Sequence, residues 1–218
     1  MTPIDADQAK AIERRIGEVE AKTGVQCVAA IVPRADSYPE LPWRAFALGA
    51  GVAGLIALGI DLGRPDWLSA RALLMQTLAI LSGGALAGLA ALRVPAFARL
   101  LLGPGRAQSE VRQCAESLFL TRELFATPRR DAVLVLVSEF EHRVVVVPDV
   151  FCRGRVTPIE WEAVVGLMTP KLREGRAAEA FLAGLGAIEA LLNAKGFASA
   201  ERAGANVLSD ALLRGDAP

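Results

Sequence analysis

Few residues in this chain have the types and spacing that could do chemistry, and two aspartates are the best placed. Asp149 follows the valine-rich run 143–147, and Asp131 precedes the apolar run 132–138. If these runs are antiparallel strands, both carboxylates lie at one end of a sheet, where α/β folds place ligands. Carboxylate and turn oxygens suit a divalent cation, so Asp131 and Asp149 are the candidate metal ligands, with Ca²⁺ or Mg²⁺ as the cofactor. The simpler interpretation, which the sequence favours, is that both aspartates form turn hydrogen bonds.

The remaining polar residues predict no catalytic site. The chain has one histidine and no glycine-rich phosphate loop, GxSxG or HExxH motif, which argues against a zinc site or a Ser/His/Asp triad. The polar cluster 139–143 lies between two apolar runs and reads as a solvated turn. No residue is therefore assigned a catalytic role.

The longest elements that the sequence predicts are two uncharged apolar runs, 45–60 and 72–92. A helix needs about 20 apolar residues to cross a bilayer, and Trp43 and Trp67 flank the first run as interfacial tryptophans do. We therefore predict a transmembrane helical hairpin over 43–93, with the lipid bilayer as a partner. The alternative is a buried helical hairpin in a soluble protein.

Basic residues indicate how the hairpin is oriented. The cytoplasmic side of a membrane protein carries the excess of lysine and arginine in short loops. The segments that flank the hairpin contain Lys22, Arg34 and Arg44 on one side and Arg93, Arg99, Arg106 and Arg112 on the other, whereas the connecting loop contains only Arg64 and Arg71. Both termini are therefore predicted to be cytoplasmic.

Bulk composition agrees with a small membrane protein. Hydrophobic residues make up 53% of the 218 residues, and the mean hydropathy is +0.37. The 24 basic and 24 acidic residues balance, which gives no indication of a nucleic-acid partner. Three cysteines without metal-binding spacing are typical of reduced core residues.

Outside the hairpin, the pattern predicts an α/β fold. Runs 25–32, 132–138 and 143–147 are strands that are apolar on both faces, and such strands need helices on both sides. Helices are expected from Pro3 to Gly24, over 109–125 after a break at 103–105, from the capping box at Thr157 to Gly175, and up to Gly196. The expected fold is a helix–sheet–helix sandwich with a mixed sheet. Its parts are 1–42, the hairpin 43–93, the main part 94–196 and a loose tail 197–218 with one short helix near 206–213.

The order of these elements resembles the TPM-domain family, in its membrane-inserted bacterial branch. The matching features are Thr23-Gly24 before a short strand, VLVLVS, HRVVVV followed by Asp149, the capped helix with Trp161, and KLREGR at 171–176. The resemblance implies an α/β/α sandwich at the cytoplasmic face of a bacterial inner membrane, on a multi-pass protein. Soluble relatives imply acid phosphatase activity and divalent cations bound by acidic turn residues. The acidic turn before the second strand is replaced here by 128–131, Pro-Arg-Arg-Asp.

Two main functions follow. The first is a non-enzymatic membrane protein whose cytoplasmic TPM-like domain binds a protein partner in envelope assembly. The second is a metal-dependent phosphatase that uses Asp131 and Asp149, with Arg143 or Arg153 holding phosphate. In addition, Gly84 and Gly88 form a GxxxG motif that would allow the hairpin to form a homo-oligomer.

Overall fold

The computed structural model describes residues 4–63, 69–197 and 208–215. These residues form two units that interleave along the chain. One unit comprises Met1–Asp36 and Ala107–Pro218, and the other is the intervening segment Ser37–Arg106. The second unit contains the predicted hairpin and extends beyond 43–93, because the short helix that follows the hairpin packs against both of its long helices.

The elements follow the predicted order, with two additional short helices and one additional strand among the described residues. They are α1 (Ala6–Thr23), β1 (Gln26–Val32), α2 (Glu40–Gly63), α3 (Ala70–Arg93), α4 (Pro95–Leu101), α5 (Pro104–Thr121), β2 (Ala132–Ser138), β3 (Arg143–Pro148), α6 (Val150–Arg153), α7 (Pro158–Arg173), α8 (Ala177–Ala194) and β4 (Leu213–Arg214).

The first unit is built on a four-stranded mixed sheet in the order β3-β2-β1-β4. β1 pairs with β2 in parallel along seven residues, from Gln26 opposite Ala132 to Val32 opposite Ser138. β2 pairs with β3 in antiparallel fashion, and β4 pairs with β1 in parallel. The prediction of a mixed α/β sheet that joins the first strand to the last two is confirmed.

Helices cover both faces of this sheet. On one face, α1, α7 and α8 pack against alternate strand residues such as Val133 and Val135, which are almost fully buried. On the other face, α5 packs against the intervening residues Leu134 and Leu136. This two-sided burial explains why the strands read as continuous apolar runs rather than as alternating patterns.

Local signals in the sequence fix several helix ends where they were expected. Asp5 caps α1 by accepting a hydrogen bond from the Gln8 backbone N–H at 2.7 Å, and Gly24 ends the helix at φ +67°. Thr157 and Glu160 form the predicted capping box of α7. Each cap satisfies backbone groups that the first or last helical turn leaves without partners.

Three predicted boundaries are wrong. The helix expected over 109–125 ends at Thr121, and a 3₁₀ turn, Leu124–Ala126, follows it. The segment 103–105 does not break the chain before a helix at 109, because α5 begins at Pro104, where a missing N–H and a fixed φ suit the first helical position. The tail is neither loose nor helical in its described part, because Leu213–Arg214 adds a strand to β1 and the Gly215 N–H donates to Ile31 O at 3.0 Å. Positions 206 and 207 of the expected helix lie outside the described residues.

In the second unit, α2 and α3 pack as a pair and leave most of their apolar surface uncovered. Only 6% of the hydrophobic window of each helix is buried, and Leu55 and Leu62 are 71% and 78% exposed. The helices approach closely at Gly49, where an added Cβ would lie 2.6 Å from Gly83 O. Gly84 faces Phe46 of the same hairpin, so the predicted GxxxG motif is used within the chain.

Three described helices are long and apolar enough to cross a membrane: α2, α3 and α8. The third differs from the other two in its surroundings, because 44% of its window is buried within the protein. Phe181, Leu185 and Ile188 of α8 lie in the core beside α1 and α7. A helix that is apolar on most sides and packed in a core needs no bilayer to cover it.

Candidate functional site

The sheet brings the two predicted aspartates to the same end. Asp149 directly follows β3, and its backbone N–H donates to Ala132 O at 2.8 Å. Asp131 immediately precedes β2, and the antiparallel register of β2 and β3 therefore places the two residues on neighbouring strand ends. The expected proximity depended on antiparallel strands, and that pairing is confirmed.

Asp149 is fully engaged with its own neighbours. It caps α6, because Oδ1 accepts the Val150 N–H at 2.7 Å. Arg130 donates from Nε to Oδ2 at 2.9 Å and from Nη2 to Oδ1 at 3.1 Å. The Asp149 side chain is only 3% exposed, whereas that of Arg130 is 52% exposed. The bidentate pair raises the pKa of the Arg130 guanidinium and neutralises a carboxylate that would be costly to bury alone.

Asp131 also has structural partners. Its backbone N–H donates to Thr127 Oγ1 at 3.2 Å, and Arg129 Nε lies 3.8 Å from its Oδ2. The Cys152 thiol donates to Asp131 O at 3.8 Å. The turn-bond interpretation of both aspartates therefore describes their contacts, with the addition of one arginine for each.

Sequence reasoning missed two further acids near this end of the sheet. Glu20, in the last turns of α1, accepts the Cys27 backbone N–H at 2.7 Å and shares a hydrogen bond with Asp210 of the tail. Burial, together with the charges of Asp210 and Asp131, raises the pKa of Glu20 to about 7. Glu20, Asp131 and Asp210 are far apart in sequence. Asp210 lies near α1 because the tail pairs with β1.

The donor set fits a divalent cation poorly. Among the described residues, no group of three His, Cys, Asp or Glu side chains could hold a metal ion. Both oxygens of Asp149 already accept hydrogen bonds, so a cation there would have to displace Arg130. The Ca²⁺ or Mg²⁺ site predicted at Asp131 and Asp149 stays a prediction. In the structure each of these aspartates lies beside an arginine, Arg129 or Arg130.

The buried cysteines offer no nucleophile at the same end of the sheet. Burial raises the pKa of the Cys152 thiol to about 12 and that of Cys27 well above its ordinary value. The thiolate is the reactive form of cysteine, so neither side chain is activated at neutral pH.

The polar cluster 139–143 includes a residue that is not a solvated turn residue. Glu141 is 8% exposed and accepts hydrogen bonds from the Ala35 backbone N–H, at 3.0 Å, and from the Ser138 hydroxyl. The turn backbone is also tied to the end of β1, because the Glu139 N–H donates to Val32 O at 2.9 Å. Glu141 therefore joins the β2–β3 turn to the segment after β1.

Comparison with known proteins shows that this chain shares its fold with a solved structure. No family model matches the chain, and no curated protein matches it. A solved structure that resembles it is the NMR structure of BA42 protein from the psychrophilic bacterium Bizionia argentinensis, with a TM-score of 0.58 and 11% sequence identity, over 97% of this chain and 95% of that chain. At this identity the likeness establishes a shared fold and carries no information on activity.

Proposed function

We propose that this chain is an integral membrane protein whose α/β domain, similar to the TPM family, acts as a protein-interaction module on the cytoplasmic face of a bacterial inner membrane. The observation that carries the proposal is the exposed apolar surface of the hairpin. Each long helix has 24 residues, or about 36 Å of length, against about 30 Å of hydrocarbon. Soluble proteins rarely expose apolar surface of this extent.

The strand pairing supports a topology with both termini on one side. β1 precedes the hairpin in sequence and β2 follows it, yet the two strands pair along seven residues. Because the segments before and after the hairpin form one sheet, the chain must enter the membrane and return from it on the same side. The excess of basic residues in those flanks supports a cytoplasmic location for that side.

The contacts at the sheet end engage the two aspartates that the phosphatase alternative requires. A hydrolase needs a base or a metal-held water that can reach its substrate. The candidate Asp149 instead neutralises Arg130 and caps a helix, and Asp131 is 4% exposed. No contact among the described residues favours the phosphatase alternative, so we assign the domain an assembly role.

Membrane insertion is tested by alkaline carbonate extraction of membranes that contain the full-length protein. We expect the protein to stay in the pellet and to be released by detergent. A tag at either terminus should be cleaved by protease only in inside-out vesicles, because both ends are proposed to be cytoplasmic. Release by carbonate, or cleavage of one tag in right-side-out vesicles, contradicts the topology.

The assembly role is tested by chemical cross-linking in native membranes followed by mass spectrometry. We expect cross-links from lysines of the α/β domain, such as Lys10 and Lys171, to a defined partner protein at near-stoichiometric yield. The matched control is the same chain with Asp149→Asn alone, which removes the buried carboxylate and leaves the exposed side chains unchanged, since Asp149 is only 3% exposed. Loss of phosphomonoester hydrolysis in that variant, from an active parent, would instead identify an enzyme.

A further inference from the structure

The outer edge of β3 has no strand partner among the described residues, since β3 is the first strand of the order β3-β2-β1-β4. The hydrogen bond from the Asp149 N–H to Ala132 O fixes which backbone groups face outward. Alternate residues of an antiparallel strand point their N–H and C=O groups to opposite edges. Val145 and Val147 therefore bond to β2, and the N–H and C=O groups of Val144 and Val146 face the open edge.

The outward-facing backbone groups of Pro148, the last residue of β3, cannot pair with an added strand. Pro148 has no N–H, and its carbonyl accepts a hydrogen bond from Arg153 Nε at 3.0 Å. The unpaired edge is thus limited to the two valines, of which Val144 is 3% and Val146 is 8% exposed. Proteins commonly shorten or block an unpaired edge to prevent aggregation, and an edge left open in part is a template for one added strand.

This edge forms the floor of a groove with a cavity volume of about 930 Å³. All six residues of β3 line the groove, from Arg143 to Pro148, with α5 and α7 as its walls. The α5 wall includes Gln108, which accepts a hydrogen bond from Arg143 Nη1 at 2.9 Å. A groove that follows a whole strand, about 20 Å at 3.3 Å per residue, fits an extended chain rather than a compact small molecule.

The α7 wall contains a buried donor that has no hydrogen-bond partner in the described part of the chain. Trp161 is 6% exposed and lines the groove, and its indole N–H makes no hydrogen bond among the described residues. A buried tryptophan N–H normally finds an acceptor. The nitrogen itself is buried, so this donor does not face the groove.

Charges along the groove favour an acidic occupant. Each wall and each end of the floor contributes one arginine: Arg112, Arg143, Arg153 and Arg173. Of the three glutamates in the lining, Glu116 pairs with Arg112 at 3.3 Å and Glu141 is buried under the β2–β3 turn. Glu162 is the third acid in the lining. With Arg112 neutralised by Glu116, three arginines remain against Glu141 and Glu162, an excess of one positive charge.

We propose that an extended acidic segment of a partner protein adds to the outer edge of β3 as a fifth strand of the sheet. The segment pairs with the backbone of Val144 and Val146, and its acidic residues meet the arginines of the groove. A second copy of this chain fits less well, because its own β3 also lies between two helices. The inference rests on the proposed assembly role and names the chemistry of the partner.

Binding is measured by fluorescence anisotropy with the full-length protein in lipid nanodiscs. The probe is a labelled peptide of alternating valine and threonine with glutamates at both ends. The two comparison peptides carry lysines in place of the glutamates, or prolines at alternate positions that cannot pair. We expect the acidic peptide to bind roughly tenfold more tightly than either comparison peptide, and binding to weaken as salt is added.

Two protein variants locate the binding site. Val146→Pro removes an outward N–H without removing a bond to β2, so we expect it to abolish binding, whereas the matched Val146→Thr retains that N–H and binding. Arg173→Glu, on the exposed surface of α7, should weaken the acidic peptide and favour the lysine peptide. Arg14→Glu, on the exposed surface of α1, is its control. Circular dichroism and thermal unfolding verify that each variant is folded.

Several outcomes overturn the inference. These are absence of binding by the acidic peptide, equal binding of all three peptides, and binding that Val146→Pro leaves intact. Self-association that Val146→Pro abolishes would assign the edge to a second copy. If the peptides fail while cross-linking in native membranes still captures one defined partner elsewhere on the domain, the assembly role survives and only this inference fails.

Discussion

Arg130 donates to both carboxylate oxygens of Asp149, at 2.9 and 3.1 Å, from a backbone with φ of +54°. This left-handed conformation is uncommon for a residue with a side chain. It occurs in the turn that leads into β2, and the Phe151 N–H donates to Arg130 O at 3.1 Å. The turn before β2 and the turn after β3 are thus joined by side-chain and backbone bonds, where the sequence favoured turn hydrogen bonds and offered a pair of metal ligands as the alternative.

Removal of Arg130 should destabilise the domain. In Arg130→Ala the Asp149 carboxylate stays buried without its partner, and we expect a loss of about 1–3 kcal/mol in the free energy of unfolding. The double variant Arg130→Met with Asp149→Asn should recover most of this loss, because asparagine still caps α6. Thermal unfolding in detergent measures both. Arg14→Ala, an exposed arginine of α1, is the control and should change stability little.

Cation binding at this end of the sheet should be weak. Arg130 already neutralises Asp149, so we expect isothermal titration of Ca²⁺ and Mg²⁺ into the full-length protein to give no saturable heat at micromolar concentrations. Asp149→Asn should behave as the parent does. A saturable isotherm in the parent that Asp149→Asn eliminates would contradict this and restore the metal site predicted at Asp131 and Asp149.

The features that sequence could predict depend on local signals. The capping box at Thr157, the stop at Gly24 and the uncharged hairpin runs each follow from a few adjacent residues, and the structure confirms the helices that they define. The partners of Asp149 and Glu20 could not be predicted in this way. Arg130 reaches Asp149 only through an unusual φ, and Asp210 reaches Glu20 only because the tail adds a strand to β1.

The acidic pair of Glu20 and Asp210 should make stability depend on pH. Burial raises the pKa of Glu20 from 4.5 to about 7, so between these values the folded state holds a proton that the unfolded state has released. Stability from this group is therefore lost as pH rises from about 4.5 through about 7. We expect Glu20→Gln to gain thermal stability relative to the parent at pH 8 and to lose that advantage at pH 5. Glu18→Gln, an exposed residue of the same helix, should show no such crossover.

The pKa of a second carboxyl group, that of Glu160, is shifted in the opposite direction. The hydrogen bond from Lys195, at 2.7 Å, lowers the pKa of Glu160 to about 2. Its contribution is present above the unfolded value and is lost as pH falls toward 2. The stability difference between the parent and Glu20→Gln at pH 5 and at pH 8 reports on Glu20, and an unchanged difference across that range would contradict its raised pKa.

The close approach of α2 and α3 at Gly49 predicts a position-specific effect in the hairpin. An alanine Cβ there would lie 2.6 Å from both Gly83 O and the Ala87 side chain, and a backbone oxygen cannot move aside. We expect Gly49→Ala to cost about 1–3 kcal/mol of hairpin stability, seen as a lower unfolding temperature in detergent. Gly51→Ala, where nothing lies within 4 Å, makes the same chemical change and should be neutral or slightly stabilising. If both variants unfold at the same temperature, the helices do not pack through Gly49. A loss confined to Gly49→Ala would show that small residues hold the two helices together within one chain, which is the arrangement that membrane helices use when the surrounding lipid gives no hydrophobic force between them.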